Sequence, residues 1–446
     1  MQDYRSHIKT NFLLAYPVML SQLGHMLVGV ADSVMVGRLG AVPLAAASLA
    51  NVIFHLVLMF GIGVSYGVTP LVAAADGNDD HQRISELLKH AFAINVIAGI
   101  VLFGLIVTAS PGLYYLDQPQ AVVEMAIPYL GIITFSIIPL MVFQTHRQFA
   151  EGLSSTRMAM VIVIVSNAFN IILNYLLIYG KFGFPALGLM GAGWASLISR
   201  VILAVWMMLW IYYGKKFRPF RNGFSIGKYS KPFFKRILNI GIPAGIQYIF
   251  EVGAFGFAVI MMGWLGTNPL AAHQIAVNLA AITYMTASGL SAAATIRVGN
   301  QLGRRDIPTL RTAAFSIFAM VIGFMACTAV LFIIGRNFLP SLYINDPEVI
   351  EIAAGLLVIA GFFQLSDGIQ VVSLGALRGL EDVRIPTLVT FISYWVVALP
   401  LGYTLGFVAE MGPNGIWIGL LTGLTLTAIF LLIRFNKLTR KMLVKY

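Results

Sequence analysis

Three carboxylates stand in stretches that are otherwise apolar: Asp32, Glu251 and Asp367. At the centre of a membrane helix each would cost roughly 2.5–3.5 kcal/mol on the translocon scale, so each needs a task or a partner. A carboxyl in a low-dielectric cavity can load and release a proton near neutral pH. Kept ionised among other oxygens, it can instead hold a hard cation such as sodium. Either chemistry suits an ion-coupled site. The bland alternative is a buried acid paired with a buried base, but Arg200 is the only basic side chain that the sequence places inside an apolar run.

Other polar residues fall where they could assist. Asn170 and Asn174 are one turn apart and share a helix face. With Asp32 and Ser196 they could supply oxygens to a cation; equally, such amides join helices as packing. Tyr284 could hydrogen-bond an acid or simply pack. Two patterns are set aside. Gly63-Val-Ser-Tyr-Gly67 fits the G-x-S-x-G of hydrolases, yet it lies within an apolar run and not at a strand–turn–helix elbow. The histidines His25, His55 and His273 lack metal-ligand spacing, and no phosphate-binding G-x-x-x-x-G-K-[ST] occurs. No enzyme and no cofactor are expected, and the energy source is expected to be an ion gradient.

The elements that position these residues follow from composition. Of 446 residues 59% are hydrophobic and only 11% charged, which excludes an ordinary soluble enzyme. A bilayer crossing needs about 20 mostly apolar residues, and the apolar runs divide into twelve such stretches. They do not alternate, so they are helices and not barrel strands. The expected class is an all-α polytopic membrane protein. Glu251 lies about 20 Å along its helix from Arg236, near mid-bilayer, and Asp367 roughly 16 Å from Arg378. With the N-terminus placed inside, 25 of the 29 Lys and Arg residues fall on the inner side and only Arg38, Lys181 and Arg336 on the outer. Both termini are therefore expected in the cytoplasm, and the net charge of +11 reflects insertion and anionic lipid, not nucleic acid. The single cysteine, Cys327, excludes an intramolecular disulfide.

The chain also repeats itself. Residues 16–80 overlay 242–306 at a constant offset of 226: Pro17 on Pro243, Leu39-Gly40 on Leu265-Gly266, Pro43 on Pro269, Gly63 on Gly289, Thr69 on Thr295 and Asp80 on Asp306. Later Gly152 matches Gly379. Six spans per half make a parallel repeat, an architecture of transporters with the substrate path between the halves. The expected division is an N-terminal six-helix lobe over 1–213, a basic linker over 214–236, and a C-terminal six-helix lobe with a basic tail over 237–446. The acids break the symmetry, because Glu251 overlays His25, Asp32 overlays Ala258, and Asp367 overlays Leu140.

Several strings together resemble the MATE (multidrug and toxic compound extrusion) transporters, and within them the NorM-like branch. They are Val30-Ala-Asp-Ser-Val-Met-Val-Gly37, Ala271-Ala-His-Gln-Ile-Ala-Val-Asn278, Thr295-Ile-Arg-Val-Gly299, Ser366-Asp-Gly-Ile-Gln370 and Gly375-Ala-Leu-Arg-Gly379, and the likeness runs over about residues 8–436. The resemblance implies twelve helices in two six-helix lobes around a central cavity. It also implies export of cationic, lipophilic compounds in exchange for sodium or protons, from a bacterial inner membrane. It implies a C-lobe cation site of Glu251, Tyr284 and Asp367, with sodium at Glu251 and Asp367, and an N-lobe site of Asp32, Asn170, Asn174 and Ser196. Some relatives carry an Asp where this chain has Asn174, which lowers the charge of that second site. A monomer is expected. The competing reading is a flippase of a lipid-linked saccharide, for which a diphosphate headgroup would call for several intramembrane Arg or Lys residues.

Overall fold

Backbone amides in hydrocarbon must bond within their own segment, and the apolar runs accordingly form long helices. The computed structural model describes residues 2–115 and 118–445. Among the described residues twelve helices are long and apolar enough to cross a membrane. They are α1 (Tyr4–Gly37), α2 (Ala41–Gly77), α3 (His81–Tyr115), α4 (Gln120–Gly152), α5 (Arg157–Tyr179), α6 (Leu189–Tyr213), α7 (Lys231–Leu265), α8 (Thr267–Gly303), α9 (Ile307–Ile334), α10 (Pro347–Gly379), α11 (Arg384–Val408) and α12 (Gly412–Val444).

The helix α4 runs on past its apolar stretch to Gly152. Its last turns bury Arg147 and Glu151, whose side chains pair at 2.7 Å across one turn. The pair neutralises itself, which is why a polar stretch continues the helix instead of ending it.

The internal repeat holds at the level of local structure. Gly40 and Gly266, both at φ 126°, turn the chain into α2 and α8, a conformation open to glycine and costly to other residues. Asp80 accepts a hydrogen bond from the Arg83 amide, and Asp306 from the Thr309 amide, each at 3.0 Å, so equivalent carboxylates start α3 and α9. Thr69 donates to the Gln148 carbonyl at 3.2 Å, as Thr295 does to that of Gly375 at 2.9 Å. A Cβ added at Gly152 would lie 2.7 Å from Val72, and one at Gly379 would lie 2.8 Å from Val298, so the two helix crossings are tight in the same way.

By packing, the chain falls into two units, and the division cuts through two helices. Residues 20–245 form one unit; the other contains residues 246 onward together with the start of the chain up to Met19. Thus α1 and α7 each begin in one unit and finish in the other, and the crossover points, Met19–Leu20 and Gly245–Ile246, are related by the same offset of 226. Each helix carries a proline just before its crossover, Pro17 and Pro243. A helical proline removes one backbone hydrogen bond and permits a bend there. The early part of α7 lies on α2, where a Cβ at Gly63 would meet the Gly245 nitrogen at 2.6 Å. The early part of α1 lies on α8 in the same manner, where a Cβ at Gly289 would meet the Ala15 carbonyl oxygen at 2.9 Å. Asn11, fully buried, fixes this end further by donating to the Ser316 hydroxyl at 2.7 Å.

Candidate functional site

Within the unit of residues 20–245, the polar group forms around α5. Asn170 and Asn174 project one turn apart and both are buried. The Asn174 amide donates to Asp32 Oδ1 on α1 at 2.5 Å and to Asn170 Oδ1 at 3.1 Å. Tyr179, further along α5, donates to the Met35 carbonyl at 2.7 Å and so fixes the partner helix beside Asp32. Asn174 Oδ1 is buried without a hydrogen-bond partner among the described residues. The trio therefore brings together a carboxylate and amide oxygens, a donor set suited to a hard cation. Ser196 is buried on α6, but the hydrogen bonds of this trio do not include it. Arg200, on the same helix, lies within electrostatic range of Asp32. Its guanidinium rests 4.7 Å from the centre of the Phe54 ring and donates to the Ser136 hydroxyl at 2.5 Å. Those contacts hold one fixed positive charge near one acid.

In the other unit the acids occupy α7 and α10. Glu251 is 8% exposed and Asp367 is 5% exposed, so both carboxylates are withdrawn from the surface. They lie within electrostatic range of one another, and Arg378 within range of Glu251. Among the described residues neither carboxylate belongs to an ion pair, which contrasts with the Arg147–Glu151 and Arg434–Asp382 pairs. Gln364, Asp367 and Gln370 recur every three residues along α10 and are all buried, a polar stripe through an apolar core. Thr283 of α8 donates to Gln364 Oε1 at 2.8 Å. The Gln370 amide reaches Glu251 Oε1 at 3.4 Å and accepts at its own Oε1 from the Tyr394 hydroxyl at 3.1 Å. Tyr284 sits partly buried on α8, packed against an apolar cluster that includes Leu290 and Val371. Among the described residues no group of three or more His, Cys, Asp or Glu is arranged to hold a metal ion. Any cation here would rest on two carboxylates with neutral oxygens.

Sequence reasoning thus located both acids on α7 and α10 and the α1–α5 trio, and it missed Gln370 and Tyr394. Gln370 stands one turn beyond Asp367 and carried that signal in plain view. Tyr394 had none, for a reason that lies in the shape of α11. In the G-x-S-x-G string Gly63–Ser65 are helical and Tyr66-Gly67 form a turn, and the buried Ser65 hydroxyl is satisfied by the Ile62 carbonyl at 2.6 Å, so no nucleophile is displayed. His273 accepts from the Trp417 indole at 3.0 Å as a core residue.

Known proteins resemble this chain closely. Residues 17–176 and 243–404 match the family described as MatE, one segment in each sequence half. The multidrug resistance protein NorM of Photobacterium profundum is 35% identical over 444 residues, which cover 98% of this chain and 96% of that protein. A probable multidrug resistance protein NorM of Agrobacterium fabrum is 34% identical over 441 residues, covering 98% and 95%. In structure, a MATE in the bent conformation superposes with a TM-score of 0.91 at 19% identity, covering 100% of this chain and 98% of the other. A eukaryotic MATE transporter gives 0.87 at 20% identity, with 99% of each chain covered.

Proposed function

The chain belongs to the MatE family, and from that membership we propose that it is a cation-coupled antiporter that exports lipophilic organic cations across a bacterial inner membrane. It is a multi-pass membrane protein of twelve helices, not an enzyme. The observation that carries the coupling role is the pair Glu251 and Asp367, two carboxylates buried within range of one another and held in no ion pair among the described residues. Unneutralised acids in so apolar a setting attract a proton or a sodium ion strongly and release it when water reaches them. In this reading the driving ion, sodium or proton, binds at Glu251 and Asp367 with Tyr284 beside them, while Asp32, Asn170, Asn174 and Ser196 receive substrate or a second cation. The ion and the drug favour opposite arrangements of the two units, so each displaces the other by linkage and the protein alternates access as a monomer. Both termini face the cytoplasm, in keeping with the one-sided distribution of Lys and Arg. One charge moving through 100 mV supplies about 2.3 kcal/mol, enough for a concentration ratio of roughly fifty.

Reconstitution in liposomes tests this. Ethidium efflux is measured under an imposed sodium gradient and, separately, under an imposed pH gradient. The expected result is efflux driven by at least one of them, and a loss of about tenfold or more in Glu251→Gln and in Asp367→Asn. Gradient-driven efflux in both variants equal to the parent's would overturn the coupling assignment.

A further inference from the structure

The helix α11 is not a regular helix. Two stretches, Ile392–Ala398 and Thr404–Val408, take the wider π winding, and between them lies Pro400. Proline brings no amide hydrogen to the ladder, so the backbone near it must re-pair, and in an apolar setting a wider turn is one means of doing so. Glycines on α12 hold the distortion in place. A Cβ on Gly415 would lie 2.6 Å from the Gly406 nitrogen, and one on Gly423 would lie 2.5 Å from the Ser393 carbonyl oxygen, so the two backbones are in direct contact.

The wide winding has a specific consequence for two consecutive aromatic residues. Tyr394, fully buried, donates to Gln370 Oε1 at 3.1 Å, and the amide of that glutamine faces Glu251 Oε1 at 3.4 Å. Trp395 donates its indole hydrogen to the carbonyl of Phe250 at 2.9 Å. One ring therefore holds the carboxylate of Glu251 through Gln370, and the next holds the peptide bond immediately before that residue. Gly253 makes room, since a Cβ there would lie 3.0 Å from the Trp395 ring. The corresponding helix of the other unit, α5, is regular throughout and carries Asn167 where the repeat places Tyr394.

We propose that Gln370, Tyr394 and Trp395 are positioning residues for ion coupling: the π-wound part of α11 clamps Glu251 from both sides and sets the direction in which its free oxygen meets the driving ion. The inference rests on the reading of Glu251 as a coupling carboxylate. Gln370 is a one-way link, because its oxygen is committed to the tyrosine hydroxyl and its amide is thereby turned toward the acid. Without the tyrosine hydroxyl the amide can rotate, and the geometry at Glu251 loosens although no charge has changed.

The test uses ethidium-loaded proteoliposomes and reads two quantities separately: the driving-ion concentration at half-maximal efflux, and the ethidium concentration at half-maximal rate. Tyr394→Phe keeps the ring and loses one hydrogen bond, so the ion requirement is expected to rise ~2–10-fold with the ethidium requirement unchanged. Gln370→Met is expected to do at least as much, and Tyr394→Phe added to it is expected to do nothing more. Trp395→Phe supplies an independent variant should Gln370→Met not fold, and it is expected to raise the ion requirement alone. The clamp is refuted if Tyr394→Phe leaves the ion requirement at the parent value, or if its shift adds in full to that of Gln370→Met. Glu251→Gln is run alongside. If it is inactive while the clamp variants behave as the parent, only the clamp fails; if it keeps coupled efflux, the coupling role of Glu251 fails and the clamp with it.

Discussion

The two candidate sites stand in units that repeat each other's turns and caps, yet they share almost no chemistry. In the unit of residues 20–245, Asp32 is held by the Asn174 amide, and Arg200 supplies a positive charge nearby. In the other unit Glu251 and Asp367 put two acids within range of one another, with a glutamine and a tyrosine behind them. The supports match at the glycine turns, Gly40 and Gly266, and at the aspartate caps, Asp80 and Asp306, and differ where the π-wound α11 has a regular counterpart in α5. Duplication conserves what packing needs at helix crossings and ends. The polar interior is specified separately in each half, so one site is close to electrically balanced and the other carries an excess of acid.

That contrast can be broken or sharpened by substitution. The largest effect is expected from Ala258→Asp, which puts into the second unit the acid that the first carries at Asp32. Ala258 is fully buried and its surroundings are apolar, so the new carboxylate should destabilise the protein by about 3 kcal/mol. Thermal unfolding in detergent reads this directly, and an unchanged midpoint would mean that packing does not enforce the asymmetry. Next comes Asn174→Leu, which leaves Asp32 Oδ1 and Asn170 Oδ1 without their shared donor. A loss of about 2 kcal/mol is expected from the same measurement. The smallest effects are expected where the units agree. Asp80→Ala and Asp306→Ala should each cost about 1 kcal/mol, equal within error and additive in the double variant, because each removes one equivalent cap. Unequal costs would show that the scaffold symmetry is one of backbone alone.

Much of this was legible in the sequence because it rests on composition and period. Twelve apolar runs give twelve crossing helices, and the 226-residue offset foretells paired turns and caps. Asn170 and Asn174 were readable as one face because α5 is regular. Tyr394 was not readable, since it stands in the π-wound stretch Ile392–Ala398, where a 3.6-residue count does not say which side chains share a face. The depth of Arg147 was hidden because its partner Glu151 makes the end of α4 look like a loop. The crossovers in α1 and α7 were hidden too: Pro17 and Pro243 marked the places, but a proline announces a bend without saying what lies beyond it.

Those crossovers make the two halves of the chain mutually dependent. A polypeptide severed anywhere in 214–230 would leave an amino-terminal piece whose opening turns have no α8 to rest on, and a carboxy-terminal piece whose α7 begins against nothing. Neither fragment is a self-sufficient module, and only the pair, brought together in one membrane, can restore the buckle that each fastens for the other.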